Sequence, residues 1–120
     1  MNRQIKFRIW DKKEHVMDVP IAIGFDDSGK IDSVSTYKYL WGDKFLLEQF
    51  TGLKDSNGDD IYENDLVLLD PDDPPYQVIF DKGKFELSND YLGLVYDLSE
   101  EHMDCEIIGN IHENPELLKG

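Results

Sequence analysis

Apolar and polar residues alternate over much of this chain, the period-two pattern of half-buried β-strands. Ile5, Phe7 and Ile9 alternate with Lys6, Arg8 and Trp10. The polar run Asp11-Lys12-Lys13-Glu14-His15 then predicts a reversal. Residues 16–25 return with alternating apolar positions, which makes an opening hairpin. Pro20 has no backbone donor, so it belongs at an edge or a bulge of that return. Asp26-Asp27-Ser28-Gly29-Lys30 predicts a second turn, because Asp and Ser bond the backbone locally and Gly accepts positive φ. Ile31–Ser35 follows as a short strand.

Phe45, Leu46, Leu47 and Phe50 fit one face of a short helix as well as a buried strand, since runs this short do not separate the two periods. Asp55-Ser56-Asn57-Gly58 is a tight turn, with Asn57-Gly58 the strongest short hairpin signal in the chain. Ile61-Tyr62-Glu63-Asn64-Asp65 predicts one helical turn or a bulge ahead of a strand over 66–69. Asp70-Pro71-Asp72-Asp73-Pro74-Pro75 is a stiff acidic loop that cannot join a sheet interior. Residues 76–80 and 84–87 read as a hairpin across Asp81-Lys82-Gly83, and 91–98 adds another strand. Residues 105–111 form a last strand, in which Gly109 admits a bulge or the close approach of another backbone. Asn114, Pro115 and Glu116 suit the cap and first turn of a short closing helix, which Leu117 and Leu118 pin to the sheet. The predicted fold class is mainly β, at the margin α+β. It is a small β-barrel or strongly bent antiparallel sheet with one or two short helices, one domain over residues 1–120.

Composition supports a packed domain: 40% hydrophobic and 12% aromatic residues outweigh the disorder signal of 32% charged ones. A chain of 120 residues buries roughly two-thirds of its unfolded surface. No run of about 18 apolar residues is present to cross a bilayer as a helix. The amino-terminal stretch runs straight into the first strand pattern and lacks the long apolar core of a secretory signal. A single cysteine, Cys105, allows neither an internal disulfide nor a cysteine-based zinc cage. The expected compartment is the bacterial cytoplasm, with no membrane association.

Charge divides the chain. Residues 1–50 carry eight acidic and eight basic side chains, whereas 51–120 carry eighteen acidic and four basic ones, the whole of the net −14. Such a field repels phosphate backbones and favours basic partners at low ionic strength. The plainer reading is that a negative surface keeps a small protein soluble. Either way, the carboxyl-rich half is expected to be an outward electrostatic skin.

Three segments carry a family resemblance. Phe7-Arg8-Ile9-Trp10-Asp11-Lys12-Lys13 opens the chain. Thr51-Gly52-Leu53-Lys54-Asp55-Ser56-Asn57-Gly58 leads into Ile61-Tyr62-Glu63-Asn64-Asp65-Leu66-Val67. Ile108-Gly109-Asn110-Ile111-His112-Glu113-Asn114-Pro115-Glu116-Leu117-Leu118 closes it. Together they resemble the YopX family of phage and prophage proteins, over about residues 6–118. The resemblance implies a phage context and no assigned activity. It also favours an extended conformation for 45–50. Asn64 stands where relatives often have Gly, and Asn tolerates the left-handed backbone next best.

Candidate chemistry is sparse. Asp55, Asn57 and Asp59 share the spacing of a calcium loop, but Asp60 sits where its sharp-turn glycine belongs and Leu66 where its bidentate acid belongs. No metal site and no cofactor are expected. Glu63 and Asp65 read as turn residues that accept backbone hydrogen bonds. Cys105 with His102 or His112 makes a triad only on paper, because a strand cysteine packs more often than it reacts. With Glu63, these are the only candidates for a hydrolytic enzyme, and the expectation is that the chain is not one.

Tyr37, Tyr39 and Trp41 alternate with Lys38, Leu40 and Gly42, so one strand face carries three rings, turned either inward or toward a partner. The leading expectation is a non-catalytic protein-binding module engaging a host or phage protein. Its aromatic and acidic surface would comprise Tyr37, Tyr39, Trp41, Asp59, Asp60, Asp72 and Asp73. The alternative is a nucleic-acid-binding barrel using Arg3, Lys6, Arg8, Lys12 and Lys13 beside Phe7 and Trp10. Exposed strand edges also permit a homo-oligomer.

Overall fold

The computed structural model describes residues 4–118 and is mainly β, with every strand pairing among them antiparallel. The described residues divide into two compact units, one of residues 6–49 and one of 4–5 with 50–118.

In the unit of 6–49, β1 (Phe7–Asp11) pairs with β2 (Val16–Asp18) on one side and with the first half of β6 (Phe45–Lys54) on the other. β3 (Ala22–Phe25), β4 (Ile31–Ser35) and β5 (Tyr39–Trp41) form a three-stranded meander. The expected return over 16–25 is therefore two strands with different partners. The break falls at Val19-Pro20-Ile21, where proline withholds a ladder donor. Residues 45–50 are extended, as the resemblance implies, and 45–49 pair antiparallel with β1. Ile9, Val34, Leu40 and Phe45 form the core of this unit, with Ile23, Ile31 and Leu47 packed against it.

In the other unit, β7 (Asp60–Tyr62) pairs with the end of β6. A five-stranded sheet follows, ordered β11-β10-β9-β8-β12, with β8 (Asp65–Leu68), β9 (Tyr76–Asp81), β10 (Lys84–Asn89), β11 (Leu94–Asp97) and β12 (Glu106–Asn110). A one-turn helix, α1 (Leu98–Glu101), separates β11 from β12 and takes over the end of the strand predicted for 91–98. Ile61, Val67, Tyr76, Val78, Leu87, Leu98 and Cys105 fill the core.

Between β7 and β8 the chain makes a tight turn rather than a helical one. Asn64 sits at φ 68°, the left-handed conformation its identity predicts. The Tyr62 N–H donates to Asp65 Oδ2 at 2.8 Å across that turn, the role expected of Asp65. In β12 the register shifts at Gly109, the predicted bulge, and a Cβ there would collide with the Asn114 side chain. Asn114 Oδ1 accepts the Asn110 N–H at 3.2 Å, so this side chain reaches back to the strand instead of capping the closing 3-10 turn Pro115–Leu118.

Candidate functional site

The clearest concavity in the unit of 6–49 is a pocket of about 420 Å³ walled by Lys13, Lys38, Lys44, Tyr39 and Trp41, with Glu14 and Leu40 completing it. Strand alternation builds its aromatic wall. Leu40 faces the core at 8% exposure, which turns its β5 neighbours Tyr39 and Trp41 to solvent. Tyr37 lies in the bend before β5 and is 80% exposed, with Lys38 Nζ 5.7 Å from its ring centre. The three rings thus point outward, the exposed alternative of the two left open by the sequence.

A buried carboxylate sets the lysine wall. Asp11 ends β1 facing inward at 1% exposure. Its Oδ1 accepts the Lys13 and Glu14 N–H groups at 2.9 and 3.0 Å, and its Oδ2 meets Lys38 Nζ at 2.7 Å. One side chain thereby fixes the β1–β2 turn and the β4–β5 turn together. The Lys38 ammonium, then the N–H groups of Glu14 and Lys13, outweigh burial and hold the Asp11 carboxyl below its ordinary range. The third lysine comes from the 3-10 turn Gly42–Lys44, whose Lys44 carbonyl accepts the Lys12 N–H at 3.0 Å. Lys13 and Lys44 make no ion pair among the described residues. The pocket offers stacking surface beside two uncommitted ammonium groups, which suits an anionic group attached to an apolar or planar one.

The other expected residues are distributed differently. Arg8 donates from Nε to the buried Glu48 Oε1 at 2.8 Å and is a structural cation, so the expected basic face loses it. Arg3 lies outside the described residues. Lys6 is half-buried, and Lys12 and Lys13 are exposed. Asp59, Asp72 and Asp73 are exposed in the other unit, and Asp60 is partly covered and paired with Lys54 at 2.8 Å. Tyr39 and Trp41 share their pocket with lysines, not with those acids. Sequence spacing did not associate Lys38 and Lys44 with Lys13, because their proximity arises from three turns meeting. The only local clue was their interleaving with the aromatic run.

The carboxylate-rich half is not uniformly a skin. Asp55 and Asp65 are each 2% exposed. Asp55 Oδ1 accepts the Asn57 and Asp59 N–H groups, and its Oδ2 accepts that of Ile107, all at 2.9 Å. Burial alone would raise its pKa, but the N–H groups of Ile107, Asp59, Asn57 and Gly58 outweigh burial and lower it. With its oxygens committed to backbone donors, Asp55 has the environment of a strut rather than of a cation ligand. Among the described residues no His, Cys, Asp and Glu group is arranged to hold a metal.

Cys105 sits just before β12, fully buried. Burial, reinforced by Asp55, pushes its thiol up to about 11, the reverse of what a nucleophile needs. Its Sγ donates to the His102 carbonyl at 3.3 Å, while His102 Nδ1 lies 2.7 Å from the Lys54 carbonyl oxygen. These contacts orient neither group toward the other's reactive atom. A smaller cavity of about 230 Å³ in this unit is lined by Pro74, Pro75, Tyr91, Leu117 and Leu118 among others. The Asn89 amide beside it is spent on the Pro74 and Pro75 carbonyls and the Leu92 N–H. No helix among the described residues is long and apolar enough to cross a membrane.

The YopX family profile matches residues 6–119. The chain belongs to the YopX family. The crystal structure of protein EF1440 from Enterococcus faecalis is similar over 98% of this chain and 99% of that one, with a TM-score of 0.73 and 29% identity. Protein yopX from Bacillus subtilis is similar over 94% and 97%, with a TM-score of 0.64 and 21% identity, a likeness of fold. No curated protein matches. Nothing in these likenesses points to catalysis, and membership of the YopX family leaves the task to be argued from the pocket.

Proposed function

We propose that this YopX-family protein is a non-catalytic protein-binding module, phage- or prophage-encoded and cytoplasmic, acting as one unit of function over residues 1–120. Tyr37, Tyr39 and Trp41 are its anchors, and Lys13 and Lys44 select a partner segment that carries a carboxylate next to an apolar side chain. The observation that carries this reading is the outward exposure of all three rings, at 80%, 73% and 60%, with Tyr39 and Trp41 lining a pocket beside Lys13 and Lys44. Exposed Tyr and Trp beside a pocket are the residues that dominate binding energy at interfaces.

Affinity capture from host lysate tests it, with wild-type and Trp41→Ala baits at low and high salt and with nuclease. A nuclease-resistant partner that the Trp41→Ala bait loses is the expected result. A partner retained by the variant overturns the assignment of the face. Loss on nuclease treatment favours a second reading, single-stranded nucleic acid stacked on Tyr39 and Trp41. Lys13 lends that reading support, because it lines the pocket of Tyr39 and Trp41 from the β1–β2 turn. The net charge of −14 weighs against it.

A further inference from the structure

The two edges of the five-stranded sheet are treated differently. Along β12 the edge groups are taken: the Ile107 N–H by Asp55 Oδ2, the Asn110 N–H by Asn114 Oδ1, and the neighbouring Cys105 carbonyl by the Ser56 N–H at 2.8 Å. Along β11 no such cover exists. Its ladder runs to β10 alone, and no loop or side chain bonds the backbone of Leu94, Val95 or Tyr96 from the outside among the described residues. Natural sheets blunt an open edge with charge, proline or a bulge. Here the one charge on β11 is Asp97 at its end, paired with Lys84, while Leu94, Val95 and Tyr96 carry none of these devices and are 37%, 56% and 38% exposed.

We propose that β11 is a docking edge that accepts one extended segment of a partner protein, with apolar side chains alternating with Lys or Arg. The unpaired backbone groups would hold it by strand addition. Charge selects the occupant. Between Phe85 and Asp104 the chain carries Glu86, Asp90, Asp97, Glu100, Glu101 and Asp104 and no Lys or Arg. Among the described residues only Lys84 partly answers them, at 3.4 Å from Asp97 and 3.8 Å from Glu86. A second copy would bring the same acids to the same edge, and like charges oppose that pairing. A basic, apolar strand meets both requirements. This edge belongs to the other unit from the Tyr37, Tyr39 and Trp41 face, so the inference stands or falls independently of that assignment.

The probe is a short blocked peptide of alternating valine and lysine. Its controls are the valine–glutamate counterpart and the valine–lysine peptide N-methylated on alternate residues, which keeps charge while removing ladder donors. Affinity is read by titration, and the site by amide hydrogen exchange of the wild-type protein, so the result does not depend on a variant folding. Expected are binding of the basic peptide, new protection confined to the β10–β11 region, and about a tenfold loss on N-methylation, the worth of one or two net hydrogen bonds. The acidic peptide should not bind. A Val95→Pro variant that retains its fold should lose the same affinity. Equal binding of the N-methylated peptide would reduce the effect to electrostatics and overturn the proposal. Protection elsewhere, no binding at all, or self-association through β11 would do the same.

Discussion

Asp55→Asn is the sharpest probe of how this fold is held. The substitution keeps the size of a side chain that is 2% exposed and replaces one acceptor oxygen by a donor NH2. If the amide keeps its oxygen toward the Asn57 and Asp59 N–H groups, its nitrogen faces the Ile107 N–H, and that bond between the β6–β7 turn and β12 is lost. A hydrogen bond to a charged group contributes about 1.5–3 kcal/mol. Ile107 is half-buried, so water replaces the acceptor poorly, whereas the two turn donors are exposed and recover most of their loss. The expected cost is therefore about 2–3 kcal/mol, a large share of the roughly 5–15 kcal/mol available to a domain of this size.

Urea unfolding followed by far-UV circular dichroism measures that cost. Both tryptophans, Trp10 and Trp41, lie in the unit of 6–49, so fluorescence would miss a loss confined to the other. The pH dependence gives the sign. The folded carboxyl titrates below its ordinary 3.8, so its contribution is complete above that value and disappears as pH falls through the folded pKa. Wild type and variant should differ most at neutral pH and converge in acid. A neutral-pH difference under about 0.5 kcal/mol, the size of an ordinary surface substitution, refutes the strut. So does a difference that persists unchanged below the folded pKa.

Two further outcomes follow from single residues. Asn64→Ala should cost about 1–2 kcal/mol, because alanine meets the left-handed penalty at φ 68° and gives up the bond from Gln77 Nε2 to Asn64 Oδ1. Asn64→Gly should cost less than Ala, and equal urea midpoints for all three proteins would contradict the backbone argument. Lys38→Met should raise the Asp11 pKa toward 3.8, since the Lys38 ammonium is the largest influence lowering it. A carboxyl-carbon NMR titration reads this directly, and an unchanged Asp11 value would show that the turn N–H groups act alone.

Local chemistry made much of the fold legible. Alternation located β1, β4, β9 and β10, and the Asn57-Gly58 and Asn64 turns follow from which residues accept positive φ. What sequence could not supply was pairing. Residues 16–25 look like one strand because alternation carries no record of partner, and only the structure shows β2 joining β1 while β3 joins β4. The pocket was hidden for the same reason. Its aromatic side was legible as a period-two run, but Lys13 and Lys38 are brought together by Asp11, a residue whose burial no local pattern announces.

Asp11 and Asp55 belong to a repeated device that changes what the chain's acidity means. Asp11, Asp26, Asp55, Asp70 and Asp97 each accept the N–H two residues ahead, and Asn110 does the same. Asp and Asn are suited to this because one short side chain mimics a backbone carbonyl and closes a turn. A protein of many short antiparallel strands needs many such closures, so part of its carboxylate content is turn chemistry rather than a field aimed at a partner. The charged form does this better than Asn, since an ionised acceptor makes the stronger bond. It also ties the turns to pH, because protonation weakens several closures together. A net charge read from composition therefore overstates the surface devoted to recognition. The acids that remain for that role are those outside the turn-closing positions; near β11 these are Asp90, Glu100, Glu101 and Asp104, since Asp97 is spent on closing the turn into α1.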